Sequence, residues 1–155
     1  MTPGINAAKK NKIAHTIHEY SHDESSESYG LEAAEKMGVP AERVFKTLVV
    51  ILDNKALAVG VIPVSSKLSM KLIAKAAAAK KASMADKSDV ERSTGYVIGG
   101  VSPLGQKKRL NTIIDSSAKS YSTIYVSAGR RGLEIELNPD DLTELTNGVL
   151  AEICQ

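Results

Sequence analysis

The chain lacks tryptophan altogether, carries one phenylalanine and one cysteine, and holds its aromatics to 4% of residues. Its core must therefore be built from aliphatic and alanine side chains. Cys154, the lone thiol, stands next to the C-terminus, which excludes an intrachain disulfide and any zinc cluster made of thiolates and fits a reducing compartment. No apolar run has the length that crosses a bilayer. The opening Met-Thr-Pro-Gly stretch, followed by Lys9, Lys10 and Lys12, has no apolar segment of signal-peptide length. A soluble, unexported, cytoplasmic protein with no membrane partner is expected. Excess charge is missing too: a net +2 with a pI near 8.6 is too weak for coating DNA, and leaves open contact with a nucleic acid at one face. Linker-like Pro/Ser tracts and repeats of solenoid period are absent. The 155 residues, 43% hydrophobic and 25% charged, are enough for one core, so residues 1–155 are expected to form one domain.

What is present alternates between helix and strand signals. Pro3 after Thr2 suits a first helical turn running to about Lys12, and Ile13 to Tyr20 alternates as a strand. A helix starting near Leu31 should stop at Gly38, with Pro40 beyond it. Phe45 to Leu52 and Ala56 to Ile62 are β-branched apolar runs joined by Asp53-Asn54-Lys55, the pattern of a hairpin central to a sheet. Ser69 can cap a helix running through KLIAKAAAAKK, and Ser88 with Glu91 gives a capping-box pattern for a short helix ended by Gly95. Leu110 to Asp115, Thr123 to Ser127 and Leu133 to Leu137 are three further strands, and Asn138-Pro139 opens a last helix ending near Gly148. The expected class is α+β, with a curved or barrel-like mixed sheet surrounded by helices.

The most informative segment is Ser93 to Arg109, STGYVIGGVSPLGQKKR. Gly95, Gly99, Gly100 and Gly105 let the backbone approach a bound group closely, and Lys107, Lys108 and Arg109 follow with positive charge. Two readings stand: a site for an anionic, phosphate-bearing ligand, or a tight multi-turn connection between strands. Neither a dinucleotide fingerprint nor a Walker loop can be read from it.

Other chemistry is sparse. His15, His18 and His22 lie near one strand, but alternation puts His15 and His18 on opposite faces and no HExxH-type spacing accompanies them, so no metal is expected. No G-x-S-x-G elbow is present, and Cys154 occupies a tail position unsuited to a pre-organised nucleophile. Lys46 interrupts an apolar strand. It either lies on a solvated face or reaches a carboxylate or a bound anion, because burying an unpaired ammonium is prohibitive. Tyr20 and Tyr29 are either packing residues with hydrogen-bonded hydroxyls or pocket groups.

Thr2-Pro3, Tyr20, His22-Asp23, Phe45-Lys46-Thr47-Leu48, Met84-Ala85-Asp86, the glycine-rich segment and IYVSAGRRGLEIEL together resemble the YbaK group of the YbaK/prolyl-tRNA synthetase editing-domain family, and the resemblance runs across almost the whole chain. It implies a mixed β-barrel surrounded by helices and a trans-editing hydrolase, free of cofactors, that clears cysteine from the tRNA for proline. The implied partners are the 3′ aminoacyl end of a mischarged tRNA and prolyl-tRNA synthetase. Such an enzyme is needed because one binding pocket rejects a slightly smaller amino acid poorly.

By the same resemblance Lys46 would hold a terminal phosphate or the developing negative charge, and Gly99 would offer backbone groups to the reacting carbonyl or the adenosine. Gly100 and Ser102 would shape the loop, Tyr20 and Tyr29 would be aromatic pocket positions, and Glu134 would bind an ammonium or hydroxyl. Glu134 stands where the YbaK pattern has aspartate, Tyr29 where phenylalanine is usual, and Ala128 where a glycine is expected. No general base is evident among these residues, and the resemblance implies that water or the substrate's own groups attack in a pocket that positions them. In a cysteinyl ester the substrate thiol is a candidate nucleophile. Two alternatives accompany this reading: a deacylase for alanine or another small amino acid, and a non-catalytic module that binds RNA ends or nucleotides.

Overall fold

Thr2 and Pro3 fix where the first helix starts. The Thr2 hydroxyl accepts from the Ile5 N–H at 3.2 Å, and Pro3 occupies the first turn of α1, Pro3–Lys10, where a missing N–H costs nothing. In the computed structural model, which describes residues 1–23, 25 and 28–155, four further α-helices and eight strands follow. They are β1 His15–Glu19, α2 Tyr29–Met37, β2 Phe45–Leu52, β3 Leu57–Pro63, α3 Met70–Ala76, β4 Ala82–Met84, α4 Lys87–Thr94, β5 Asn111–Asp115, β6 Ile124–Arg130, β7 Leu133–Leu137, α5 Pro139–Thr146 and β8 Val149–Ala151.

The strands make two sheets, and the α+β class with a mixed sheet is the one the sequence predicts. One sheet is antiparallel, in the order β1-β7-β6; the other is mixed, in the order β4-β2-β3-β5-β8, with β5 parallel to both β3 and β8. They are joined by the packing of β2 on β6 and by a parallel bridge between Val44 and Tyr125, rather than by a continuous ladder closing a barrel. Between them lies the main core, in which Phe45, Val49, Val59, Val61 and Ile114 of the mixed sheet meet Ile124, Val126, Ile135 and Leu137 of the antiparallel one. A second cluster, with Val50, Ile62, Ile73 and Ile153, fills the other face of the mixed sheet under α3. Alternation along β2 produces this split, since Phe45 and Val49 face one way and Val50 the other.

Two local expectations are corrected, and two short strands are added. The alanine-rich helix ends at Ala76, well short of Lys81, because Ala78 takes a left-handed φ of 58°. Asp53 then captures the Lys80 N–H at 3.1 Å, pulling the chain into β4 beside β2. Tertiary pairing here overrides high helix propensity. Ser88 lies inside α4, whose N-cap is Asp86, so the capping box is not formed. Two short strands, β4 and β8, carry no alternation long enough to predict from sequence.

The brevity of β4 has a consequence for the site. It pairs only with Val50 to Leu52, after which the Ala85 N–H donates to the Val49 carbonyl at 3.1 Å. Among the described residues, Lys46 to Leu48 therefore have ladder partners only on β3, and their other edge is open.

Candidate functional site

That open edge borders a cavity of about 380 Å³ lined by residues of both sheets, within the range of roughly 300–1,000 Å³ common for small-molecule sites. Lys46, Thr47 and Leu48 of β2 line it on one side; Ser127 of β6 and Glu134 of β7 line it on the other. Tyr20 just beyond β1, Tyr29 at the start of α2, and Ile98 and Gly99 of the glycine-rich loop complete it. Five of the seven residues singled out from sequence, Tyr20, Tyr29, Lys46, Gly99 and Glu134, thus converge on one cavity.

Gly100 and Ser102 are placed behind it. The Gly100 N–H donates to the Val97 carbonyl at 2.9 Å, and a Cβ there would come within 2.8 Å of the Arg130 Cα, so the loop can lie on the β6–β7 turn only with glycine at this position. Ser102 is fully buried and its hydroxyl accepts from the Leu104 N–H at 3.1 Å. Both residues hold the loop that presents Gly99. Gly99 itself has φ +96°, and a Cβ on it would sit 2.8 Å from the Tyr29 ring.

Glu134 is the acid of the site. It is 6% exposed, and in the antiparallel ladder it stands opposite His18 on one side and Ser127 on the other. Burial pushes its carboxyl up to about 8, because an ionised carboxylate loses its hydration there. Its strand neighbour two residues on is arranged differently. Glu136 lies 2.9 Å from His18 Nε2, accepts from the Thr123 hydroxyl at 2.5 Å and has Arg43 at 3.7 Å. Those donors overcome the opposing effect of burial and hold Glu136 below the ordinary carboxylate range. Two glutamates on the same face of one strand are thereby pushed apart, a pattern associated with functional sites. Tyr20, whose N–H donates to the Gly132 carbonyl at 2.9 Å, is raised to about 12 by burial and by nearby Glu134.

Lys46 is the cation. Among the described residues it belongs to no ion pair. Burial lowers its pKa, and proximity to Lys67 adds to that while the Cys154 thiol opposes it. Thr47 beside it contributes a hydroxyl that is buried with no hydrogen-bond partner among the described residues.

Thr47, Ser127 and Arg131 also line the cavity, and no local signal in the sequence marks them: nothing in the arginine pair after Gly129 shows that Arg131 folds inward. There its guanidinium meets Glu32 at 3.4 Å, donates to the Asp23 carbonyl at 3.0 Å and stacks over Tyr29. Among the described residues no three His, Cys, Asp or Glu side chains group as metal ligands, and no helix is long and apolar enough to cross a membrane.

Comparison with known proteins agrees with this geometry. Residues 25–145 match the model of the aminoacyl-tRNA editing domain. The chain is 40% identical over 155 residues to the Enterococcus faecalis protein named "Putative Cys-tRNA(Pro)/Cys-tRNA(Cys) deacylase EbsC", covering 98% of this chain and 92% of that one. It is 29% identical over 133 residues to the Bacillus subtilis protein YwhH, with 85% and 84% covered. Two crystal structures share the fold. One, of a hypothetical protein, has a TM-score of 0.88 at 24% identity and covers 99% of this chain and 100% of that one. The other, described as "a putative trans-editing enzyme for prolyl tRNA synthetase", has a TM-score of 0.83 at 19% identity and covers 100% and 99%. With a family model matching most of its length and a relative of this identity along nearly all of it, the chain belongs to the aminoacyl-tRNA editing domain family.

Proposed function

We propose that residues 1–155 act as one editing unit, a trans-acting deacylase that hydrolyses the ester joining cysteine to the tRNA for proline. The observation that supports this reading is the cavity lined by residues of both sheets, with Lys46 of β2 and the buried Glu134 of β7 among its walls. An aminoacyl ester carries the matching groups: an α-ammonium, a carbonyl that becomes an oxyanion, and a terminal nucleoside with its phosphate.

In the proposed reaction water adds to the ester carbonyl carbon, the bond from that carbon to the ribose oxygen breaks, and the oxygen takes up a proton. Free cysteine and uncharged tRNA are the products. Lys46 stabilises the charge that develops on the carbonyl oxygen or holds the neighbouring phosphate. Glu134, poised near about 8, shares a proton with the substrate's amino group, whose own pKa lies near about 7.7–8.0. Gly99 approaches the carbonyl or the adenosine with backbone alone, Tyr20 and Tyr29 bound the side-chain end, and Gly100 and Ser102 keep the loop in place. Prolyl-tRNA synthetase as a partner would supply the choice of tRNA that a net charge of +2 gives the protein little means to make.

The test is a panel of tRNAs for proline carrying cysteine, alanine, serine or proline, with loss of the amino acid followed over time and Lys46→Ala as control. Release of cysteine that depends on Lys46 is expected. Release of alanine or serine instead would keep the enzyme and change its substrate, and no release from any would leave a binding module.

A further inference from the structure

The glycine-rich segment serves two places. Ile98, Gly99 and Val101 line the first cavity; the residues from Pro103 on lead into a separate cleft of about 180 Å³ against α1 and the end of α5. Asn11, Gln106, Lys108, Arg109, Thr112 and Thr146 contribute the polar lining, and no carboxylate lines it. The cleft is firmly built. Gly105, at φ +66°, approaches α1 so closely that a Cβ would lie 2.4 Å from the Pro3 carbonyl oxygen. The Lys107 and Lys108 N–H groups donate to the Thr94 and Ser93 carbonyls at 2.9 Å each. Asn11 caps the end of α1 by donating from its amide to the Ala7 carbonyl at 2.8 Å.

Lys108 and Arg109 line this cleft; Lys107 on the same loop, and Lys9, Lys10 and Lys12 at the end of α1, whose Ala7 lines it, are exposed as they are. Among the described residues none of the six belongs to an ion pair, whereas Arg43, Arg92, Lys119 and Arg131 elsewhere each do. Two unneutralised cations in a polar cleft, with four more on the loop and helix end that form it, make a phosphate-binding footprint.

Distance selects the ligand. Gly99 and Gly105 are six residues apart in sequence, so the two sites are separated by at most about 22 Å of chain. One nucleic-acid strand advances about 3.4 Å per nucleotide, so at most about six nucleotides span that gap.

We propose that this cleft binds backbone phosphates of the substrate RNA a few nucleotides inward from the esterified end, with Lys108 and Arg109 as the contacting residues. The proposal rests on the deacylase reading of the neighbouring cavity. A protein that is nearly neutral overall gains RNA affinity by concentrating unpaired cations where the strand leaves the cavity.

The experiment uses the full chain with Lys108→Ala/Arg109→Ala, and Lys71→Ala/Lys75→Ala on α3 as a charge-matched control. Binding of uncharged tRNA for proline is followed by fluorescence anisotropy across potassium chloride concentrations, and hydrolysis is measured on cysteinyl-tRNA and on cysteinyl-adenosine, which has no phosphate. The loop variant should bind the tRNA about tenfold more weakly near about 50 mM salt. The slope of log affinity against log salt should shrink by about 1.4–1.8, which is two phosphate contacts. KM for cysteinyl-tRNA should rise, with cysteinyl-adenosine hydrolysis unchanged and the control like wild type. An unchanged salt slope, or an equal loss on both esters, would overturn the proposal. If the wild type hydrolyses neither ester while the loop variant still loses tRNA affinity, the deacylase reading falls and the phosphate cleft stands.

Discussion

The guanidinium of Arg131 lies 3.9 Å from the ring centroid of Tyr29, while one of its nitrogens is 3.4 Å from the buried Glu32 carboxylate. One side chain from the β6–β7 turn thus fixes both the aromatic wall of the cavity and the helix that carries it. Arg131→Ala should leave Glu32, whose side chain is 4% exposed, with the Asp23 N–H at 2.6 Å and no cation, and cost about 3 kcal/mol in urea unfolding, as loss of one partner of a buried pair does. Arg131→Lys keeps the charge and loses the planar stack, and should fall between the two. An Arg131→Ala midpoint equal to wild type would show that the pair contributes nothing.

Glu134 should make stability depend on pH. Its folded pKa of about 8 lies above the unfolded value of about 4.3, so between those values the native state holds a proton that the unfolded chain has released. The contribution is complete below the lower value and is lost as pH rises through the upper one. Scanning calorimetry should show Tm falling from pH 5 to pH 8 in the wild type and falling less in Glu134→Gln. Parallel slopes for the two proteins would remove Glu134 as the cause.

Gly99→Ala and Gly38→Ala form a matched pair. Both glycines sit at positive φ, 96° and 68°, but a Cβ at Gly38 meets nothing within 4 Å whereas one at Gly99 strikes the Tyr29 ring. Each substitution should cost about 1–2 kcal/mol of backbone strain. Only Gly99→Ala should lower kcat/KM, by about tenfold or more, by moving a cavity wall. Equal activity losses in both would trace the effect to stability.

Thr47→Val removes the buried hydroxyl that lacks a partner with almost no change of shape. Stability should hold or rise by about 1 kcal/mol, since a buried unpaired polar group is costly. Deacylation should slow severalfold as a substrate contact disappears. A large loss of stability would mean that the hydroxyl is bonded in solution.

The sequence revealed the central elements well. The β2–β3 hairpin, α1, β5, β7 and α5 follow from apolar alternation, turn residues and capping at Thr2 and Asn138, all of which act locally. What stayed hidden depends on distant partners. Ala77 to Ala79 carry every local signal for helix, and only Asp53, 27 residues upstream of Lys80, diverts them toward β4. At the site, Lys46, Gly99 and Glu134 stood out as a charge in an apolar strand or as part of a recognisable motif. Thr47 and Ser127 did not, because a hydroxyl on a strand says nothing of which cavity it will face.

The hold of Thr2 on the Ala128 carbonyl, spanning 126 residues, bears on when the enzyme comes into being. The cavity needs β1 paired to β7 and the glycine-rich loop pressed against α1, contacts of high sequence separation that form slowly and only once β7 has been synthesised. A ribosome-bound chain still lacking β6 and β7 has no Ser127 or Glu134 wall. Catalytic competence should therefore emerge late and all at once, when β7 becomes available to pair with β1.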